Sequence, residues 1–308
     1  MNLNLKSLTS QAVRSTASLA VIACIGAIVA PQANAGTIVN GWNYTVDSFN
    51  DGVTGEVGGK YEIYGLGIKQ VGNEVIVGID TRLPIEGSQS LFSSNHIAWG
   101  DMFFNFGGGT MSEGNGNFFG VRFAGNNDAG VSETGVYSNV TGQFVDNGFD
   151  SVADHASYVD NNGGNSSVGD LASNDSYFDA SYNVIQSGTK VGDISLLDST
   201  ALAGYGFNLN DVPGTAGQTE SDTFAGRTSD NGVSYFGERQ SYGFKFELPP
   251  GMVGEFVAHL AQECFNDSVA IAGTFAEITD STDVPEPSLL LGLAGVAGLG
   301  LVRRRRQA

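Results

Sequence analysis

The chain has 308 residues, of which 33 are Asp or Glu and only 14 are Lys or Arg, so its formal charge is −19. A surface of that sign repels nucleic acid and anionic lipid, which excludes nucleic-acid binding and favours solubility and cations. The length suits one large β domain with a real core better than two small ones, and two cysteines leave no disulfide framework to hold it.

Residues 1–35 read as a secretory signal peptide. Lys6 and Arg14 make a weakly basic start, an apolar stretch runs from Ala17 to Ala30, and small residues stand at Ala33 and Ala35. Signal peptidase would cut after Ala35. Read as a permanent anchor, those 14 apolar residues would cover only about 21 Å at a helical rise of 1.5 Å, short of a bilayer core.

The exported acidic β domain is expected over residues 36–280. Counted to residue 284, the body carries eight basic and 32 acidic groups, a charge of −24. Cys24 leaves with the signal peptide, so Cys264 is alone and is expected to be buried as a small apolar group. Helical periodicity is nearly absent, and short alternating apolar runs are separated by Gly, Asn, Asp and Ser. Strands are predicted at 42–46, 74–79, 101–106, 118–123 and 241–248. In the last, Tyr242, Phe244, Phe246 and Leu248 share one face and Ser241, Gly243, Lys245 and Glu247 the other, so one face is core and the other solvent. The pattern predicts an all-β fold, a single Gly-rich β-sandwich of jelly-roll or lectin-like type.

No basic residue occurs between Arg122 and Lys190, and nine acids do, so much of this stretch is expected to be loop. Its densest part, from Asp160 to Asp170, is rich in oxygen ligands and turn formers. It reads as a calcium site built on Asp160, Asn162 and Asp170, though neither EF-hand spacing nor a glycine-aspartate repeat is present. The alternative is a solvated acidic surface.

Other chemistry is sparse. His96, His155 and His259 lie far apart in sequence and outside any zinc-binding pattern, and the runs Gly107-Gly108-Gly109 and Gly114-Asn115-Gly116 lack the lysine and context of a phosphate loop. The segment from His259 to Asp267 gathers a histidine, Glu263 and the lone Cys264, the groups of a cysteine hydrolase. Thiol and base normally come from distant segments, and no activating turn is visible, so no catalytic residue is assigned.

Residues 281–308 form a three-part tail. Pro285, Glu286 and Pro287 exclude regular helix and present an extended segment to a processing enzyme. The apolar run Leu289 to Val302 is, with its flanks, just long enough to enter a bilayer as a transmembrane helix, and Arg303, Arg304, Arg305 and Arg306 would hold its end on the cytoplasmic side. The body would then lie outside.

Together, Val284-Pro285-Glu286-Pro287-Ser288, the Gly/Ala/Leu run and the arginine cluster resemble a PEP-CTERM sorting signal over about the last 25 residues. That resemblance implies handling by exosortase, a membrane-embedded enzyme of bacteria with an outer membrane, often alongside exopolysaccharide production. Its logic is that of a hydrophobic tail that directs processing and is then removed. Next to it, His259, Glu263, Cys264, Asn266 and Asp267 resemble a His-x-x-x-Glu-Cys-Gly-Asn-Asp signature found ahead of the tail in several such families. Phe265 stands at the glycine, which removes the residue a tight turn there would require. Residues 42–49, 61–67, 97–106 and 168–172 also look like one cyanobacterial-type family of exosortase-dependent surface proteins, whose members have no assigned activity.

The expected function is that of an exported surface or extracellular-matrix protein, not an enzyme, associated with exopolysaccharide or biofilm, with signal peptidase, exosortase and the membrane as partners. No cofactor other than calcium is expected. One rival, a carbohydrate-binding module, needs exposed aromatics such as Trp42, Trp99 or tyrosines on a sheet face. The other, a secreted hydrolase, needs two carboxylates facing across a cleft.

Overall fold

The computed structural model describes residues 36–49, 51–52, 59–90, 95–215, 223–224, 227–228 and 239–277, and all of them fall in one compact unit. Two tight turns begin the architecture. Asn40 and Gly41 both adopt positive φ, 52° and 78°, as a type I′ hairpin requires, and so β1 (Thr37–Val39) folds onto β2 (Trp42–Val46) with Val39 opposite Trp42. Gly72, at φ 59°, turns β3 (Ile63–Val71) into β4 (Glu74–Thr81) with Val71 opposite Glu74.

After the short ribbon β5 (Ser88–Gln89) and β6 (His96–Ile97), a second run follows: β7 (Met102–Asn105), β8 (Phe118–Arg122), β9 (Gly135–Gln143) and β10 (Val184–Gly192). The remaining strands are β11 (Ile194–Leu197), the ribbon β12 (Thr223–Phe224) and β13 (Arg227–Thr228), then β14 (Gln240–Glu247), β15 (Gly254–Ala261) and β16 (Ser268–Phe275). They form two six-stranded antiparallel sheets, ordered β1-β2-β3-β4-β14-β11 and β10-β9-β8-β7-β15-β16. All five strands expected from alternation are present within a residue or two of their predicted ends.

One apolar cluster takes residues from both sheets. Leu66, Val77, Ile79, Phe244 and Phe246 of the first meet Phe104, Val121, Phe256, Leu260 and Ile271 of the second. Phe123 stacks on Phe244 with ring centroids 5.0 Å apart, and Trp99 fills the end of the cluster, its Nε1 donating to the Pro84 carbonyl at 3.1 Å. The connectivity consists of two four-strand meanders closed by the C-terminal strands, not the paired Greek keys of the expected jelly roll. The turns at residues 40–41 and 72–73 are too short to do anything but pair β1 with β2 and β3 with β4.

Residues 122–190 are less loop-like than their composition suggests. They contain β9, most of β10 and a helix, α2 (Val152–Asn161); the other α-helices among the described residues are α1 (Met111–Gly114) and α3 (Ser199–Gly204). Ser151 caps α2 by accepting from the Asp154 N–H at 3.0 Å, and Val152, His155, Ala156 and Val159 are buried. That spacing is a helical stripe. It was obscured because a histidine and an alanine supply its middle.

The outer face of the first sheet is covered in part by the segment after β11. Gly67 and Gly78 are cross-strand partners, and a Cβ on Gly78 would lie 2.5 Å from the Phe207 ring. These glycines therefore leave the hollow in which Phe207 packs against Trp42 and Tyr44, at centroid distances of 5.1 and 5.5 Å. Among the described residues no helix is long and apolar enough to cross a membrane; the expected signal helix and tail helix both lie outside them.

Candidate metal centre and sorting segment

Three aspartates from two distant segments of the chain converge in one buried group. Asp47 follows β2 directly, and its N–H donates to the Tyr64 carbonyl at 3.1 Å. Asp51 follows in the same connection. Asp267 ends the turn between β15 and β16 and accepts the Ile63 N–H at 2.6 Å and the Ser268 N–H at 2.7 Å. One carboxylate oxygen from each lies within 4.8 Å of the others, and the residues are 3%, 0% and 0% exposed.

Ser167, beyond the end of α2, ties the first two together. Its N–H donates to Asp51 Oδ2 at 2.8 Å and its hydroxyl to Asp47 Oδ1 at 2.5 Å. The other oxygens, Asp47 Oδ2 and Asp51 Oδ1, are buried with no hydrogen-bond partner. No ion pair reaches any of the three aspartates among the described residues. Burial therefore disfavours their ionised forms and each carboxyl is displaced upward: Asp51 to about 7, Asp47 and Asp267 well above the ordinary range, with mutual repulsion and Glu62 adding to the effect on Asp267. His155 Nε2 lies 2.8 Å from the Asp51 carbonyl, which can only accept, so Nε2 carries the proton. Burial holds this imidazole down to about 4 and neutral.

The calcium ligands expected from the sequence, Asp160, Asn162 and Asp170, lie in the neighbouring segment. Asp160 lies in the last turn of α2, where its Oδ1 accepts from the Ser166 N–H and hydroxyl at 3.1 and 3.0 Å. Asn162 caps that helix and bonds the Tyr158 carbonyl, while Asp170 Oδ2 accepts the Ala272 N–H at 3.0 Å. Neither Asp160 nor Asp170 belongs to the converging group. The dense acidic loop contributes Ser167 to the centre, not its acids. Asp47 and Asp51 had no local signal, since the centre depends on residues more than two hundred positions apart.

The segment from His259 to Asp267 is structural except at its end. His259 is buried, stacked on Phe103 at 5.0 Å with planes 3° apart, and its Nδ1 lies 2.7 Å from the Tyr177 hydroxyl; burial lowers its pKa to about 4. Glu263 anchors two backbone N–H groups, Asp128 at 2.6 Å and Ala98 at 3.1 Å. Cys264 is free and buried as expected, its Sγ 3.0 Å from Asn266 Nδ2, and burial pushes its thiol up to about 12. A neutral imidazole bonded to tyrosine and a protonated thiol are poor partners for nucleophilic attack.

Phe265 corrects another expectation, because the tight turn forms without glycine. Its φ is 47° and its N–H donates to the Gln262 carbonyl at 3.0 Å. The ring is 1% exposed and lies 6.0 Å from that of Phe144. Left-handed backbone costs a residue with a Cβ about 1–2 kcal/mol, while burial of a Phe ring is worth about 3–5 kcal/mol against Ala, so packing outweighs strain. Phe265→Gly and Phe265→Ala both lose the ring, yet only glycine escapes the backbone cost. Denaturant unfolding is expected to show Phe265→Gly as the more stable of the two by about 1 kcal/mol, the reverse of their usual order in a strand.

Trp42 and Trp99 are both fully buried, so neither forms a sugar-stacking surface. The predicted cleavage residues Ala33 and Ala35, the motif Pro285, Glu286 and Pro287, and Arg303, Arg304, Arg305 and Arg306 lie outside the described residues.

Comparison with known proteins gives no match among curated proteins and none among solved structures. The model of the PEP-CTERM protein-sorting motif matches residues 283–306, the segment in which the Pro-Glu-Pro, the apolar run and the arginines occur in that order. The motif marks a secreted or surface protein that exosortase sorts and processes. The chain is a PEP-CTERM sorting-domain protein.

Proposed function

We propose that the mature protein is a non-enzymatic component of the extracellular matrix, delivered outside by its signal peptide, processed at its tail and held among exopolysaccharide. The sorting motif directly after an acidic two-sheet body carries this reading. Support also comes from the chemistry of the body. The histidines at 155 and 259 and the cysteine at 264 are buried in structural roles, and buried tryptophans favour a matrix protein over a dedicated sugar-binding module. The wider resemblance to cyanobacterial-type surface proteins agrees with the same assignment.

Fractionation of exporting cells tests it. The protein is expected in the matrix fraction of an exopolysaccharide-producing strain and in the medium of an isogenic strain that makes none. Equal matrix recovery from the two strains would rule out polysaccharide association.

A further inference from the structure

We infer that Asp47, Asp51 and Asp267, with the Ser167 hydroxyl beside them, form a binding site for one divalent hard cation of the calcium class, which fastens the ends of the two sheets to the segment after α2. Calcium holds its oxygen ligands at about 2.3–2.6 Å, so two ligands of one ion lie no more than about 5 Å apart. The three carboxylates meet this limit, each offering an oxygen within 4.8 Å of the other two. Zinc would favour imidazole or thiolate, but the nearby His155 Nε2 is committed to the Asp51 carbonyl and Cys264 to Asn266.

The second observation is what the protein leaves open. Hydrogen-bond donors satisfy Asp47 Oδ1, Asp51 Oδ2 and both oxygens of Asp267. Asp47 Oδ2 and Asp51 Oδ1 have no partner, in side chains that are 3% and 0% exposed. A buried carboxylate oxygen without donor or cation is costly, and two of the three converging residues each carry one. The backbone brings the group together from three segments: Asp47 and Asp51 from the connection after β2, Asp267 from the turn before β16, and Ser167 from the segment after α2. An ion there would join elements that the chain brings together only on folding. It would therefore bind the folded state and stabilise it by mass action.

The alternative for such a cluster is proton sharing between carboxyls, which requires no metal. Calcium binding to the protein purified from exporting cells separates the two. Equilibrium dialysis is expected to give one calcium per chain with a Kd of about 10⁻⁴ to 10⁻³ M, the range of extracellular modules. Calcium should raise Tm beyond magnesium at matched ionic strength. Asp51→Asn and, separately, Asp47→Asn should each weaken calcium binding at least tenfold, with the folded circular-dichroism spectrum kept. Asp160→Asn/Asp170→Asn should leave it unchanged. No stoichiometric calcium in the wild type, equal stabilisation by both ions, or full binding by a folded Asp51→Asn variant would overturn the site and leave proton sharing. Loss of binding on changing Asp160 and Asp170 alone would move the site to the neighbouring loop and equally overturn this one.

Discussion

Changing Pro285, Glu286 and Pro287 together to alanine is expected to abolish tail processing in cells that contain exosortase. The sorting-motif match places these residues near its start, followed by the apolar run and the arginines. Alanine removes the two prolines that bar helix and lets one continue from the apolar run, so the processing enzyme would lose the side chains of the motif and the backbone restriction they impose. The apolar run and arginines are untouched and should still insert. The variant should accumulate as a membrane-bound precursor, larger than the mature protein on a gel, with little released product. Normal yield of mature protein would show that recognition lies elsewhere in the tail.

The largest effect on the body is expected at Asp101. This fully buried carboxylate accepts the Ile185 N–H at 2.7 Å and the Asn127 amide at 2.8 Å, joining the start of β7 to β10 and to the loop after β8. Asp101→Ala strands two buried donors, each worth about 1–3 kcal/mol, so a loss of about 2–6 kcal/mol is expected. That is a large share of the roughly 5–15 kcal/mol by which domains are stable. The loss also depends on pH. Burial raises Asp101 to about 7, against the partial opposition of its hydrogen bonds and Arg122, whereas the unfolded value is near 3.9. Between those values the folded state binds more protons than the unfolded one, so this group's contribution is full below about 4 and fades as pH rises through 7. Denaturant unfolding should therefore find Asp101→Ala more damaging at pH 5 than at pH 8. A cost independent of pH would mean that Asp101 ionises as readily in the folded protein as in the unfolded one.

What could be read in the sequence was what repeats over a short distance. Alternation in Tyr242, Phe244, Phe246 and Leu248 located β14 and its buried face, and the order of proline, apolar and arginine residues located the sorting tail. The helix α2 escaped because His155 and Ala156 diluted its stripe, although Ser151 and the i, i+3, i+4, i+7 spacing were present. The meander topology escaped for a different reason: alternation says which face a residue takes, but not which strand lies beside it.

The converging carboxylates were missed through the same limitation of range. Acid density drew attention to residues 160–170, where side chains close helix ends and accept backbone N–H groups, while the converging carboxylates come from positions 47, 51 and 267. One of these, Asp267, did stand in a segment singled out for its resemblance to a family signature, and Phe265 in that segment shows how little a single expected glycine decides. Its ring is buried deeply enough to hold the left-handed turn that a glycine would adopt without cost.

The most direct measurement of the central claim is the intact mass of the exported protein from two isogenic strains, one with exosortase and one without it. The account predicts a chain that starts at Gly36 in both, ends within or before residues 283–306 when exosortase is present, and retains the arginine cluster when it is absent. The same mature C-terminus in both strains would contradict exosortase-dependent sorting of this protein.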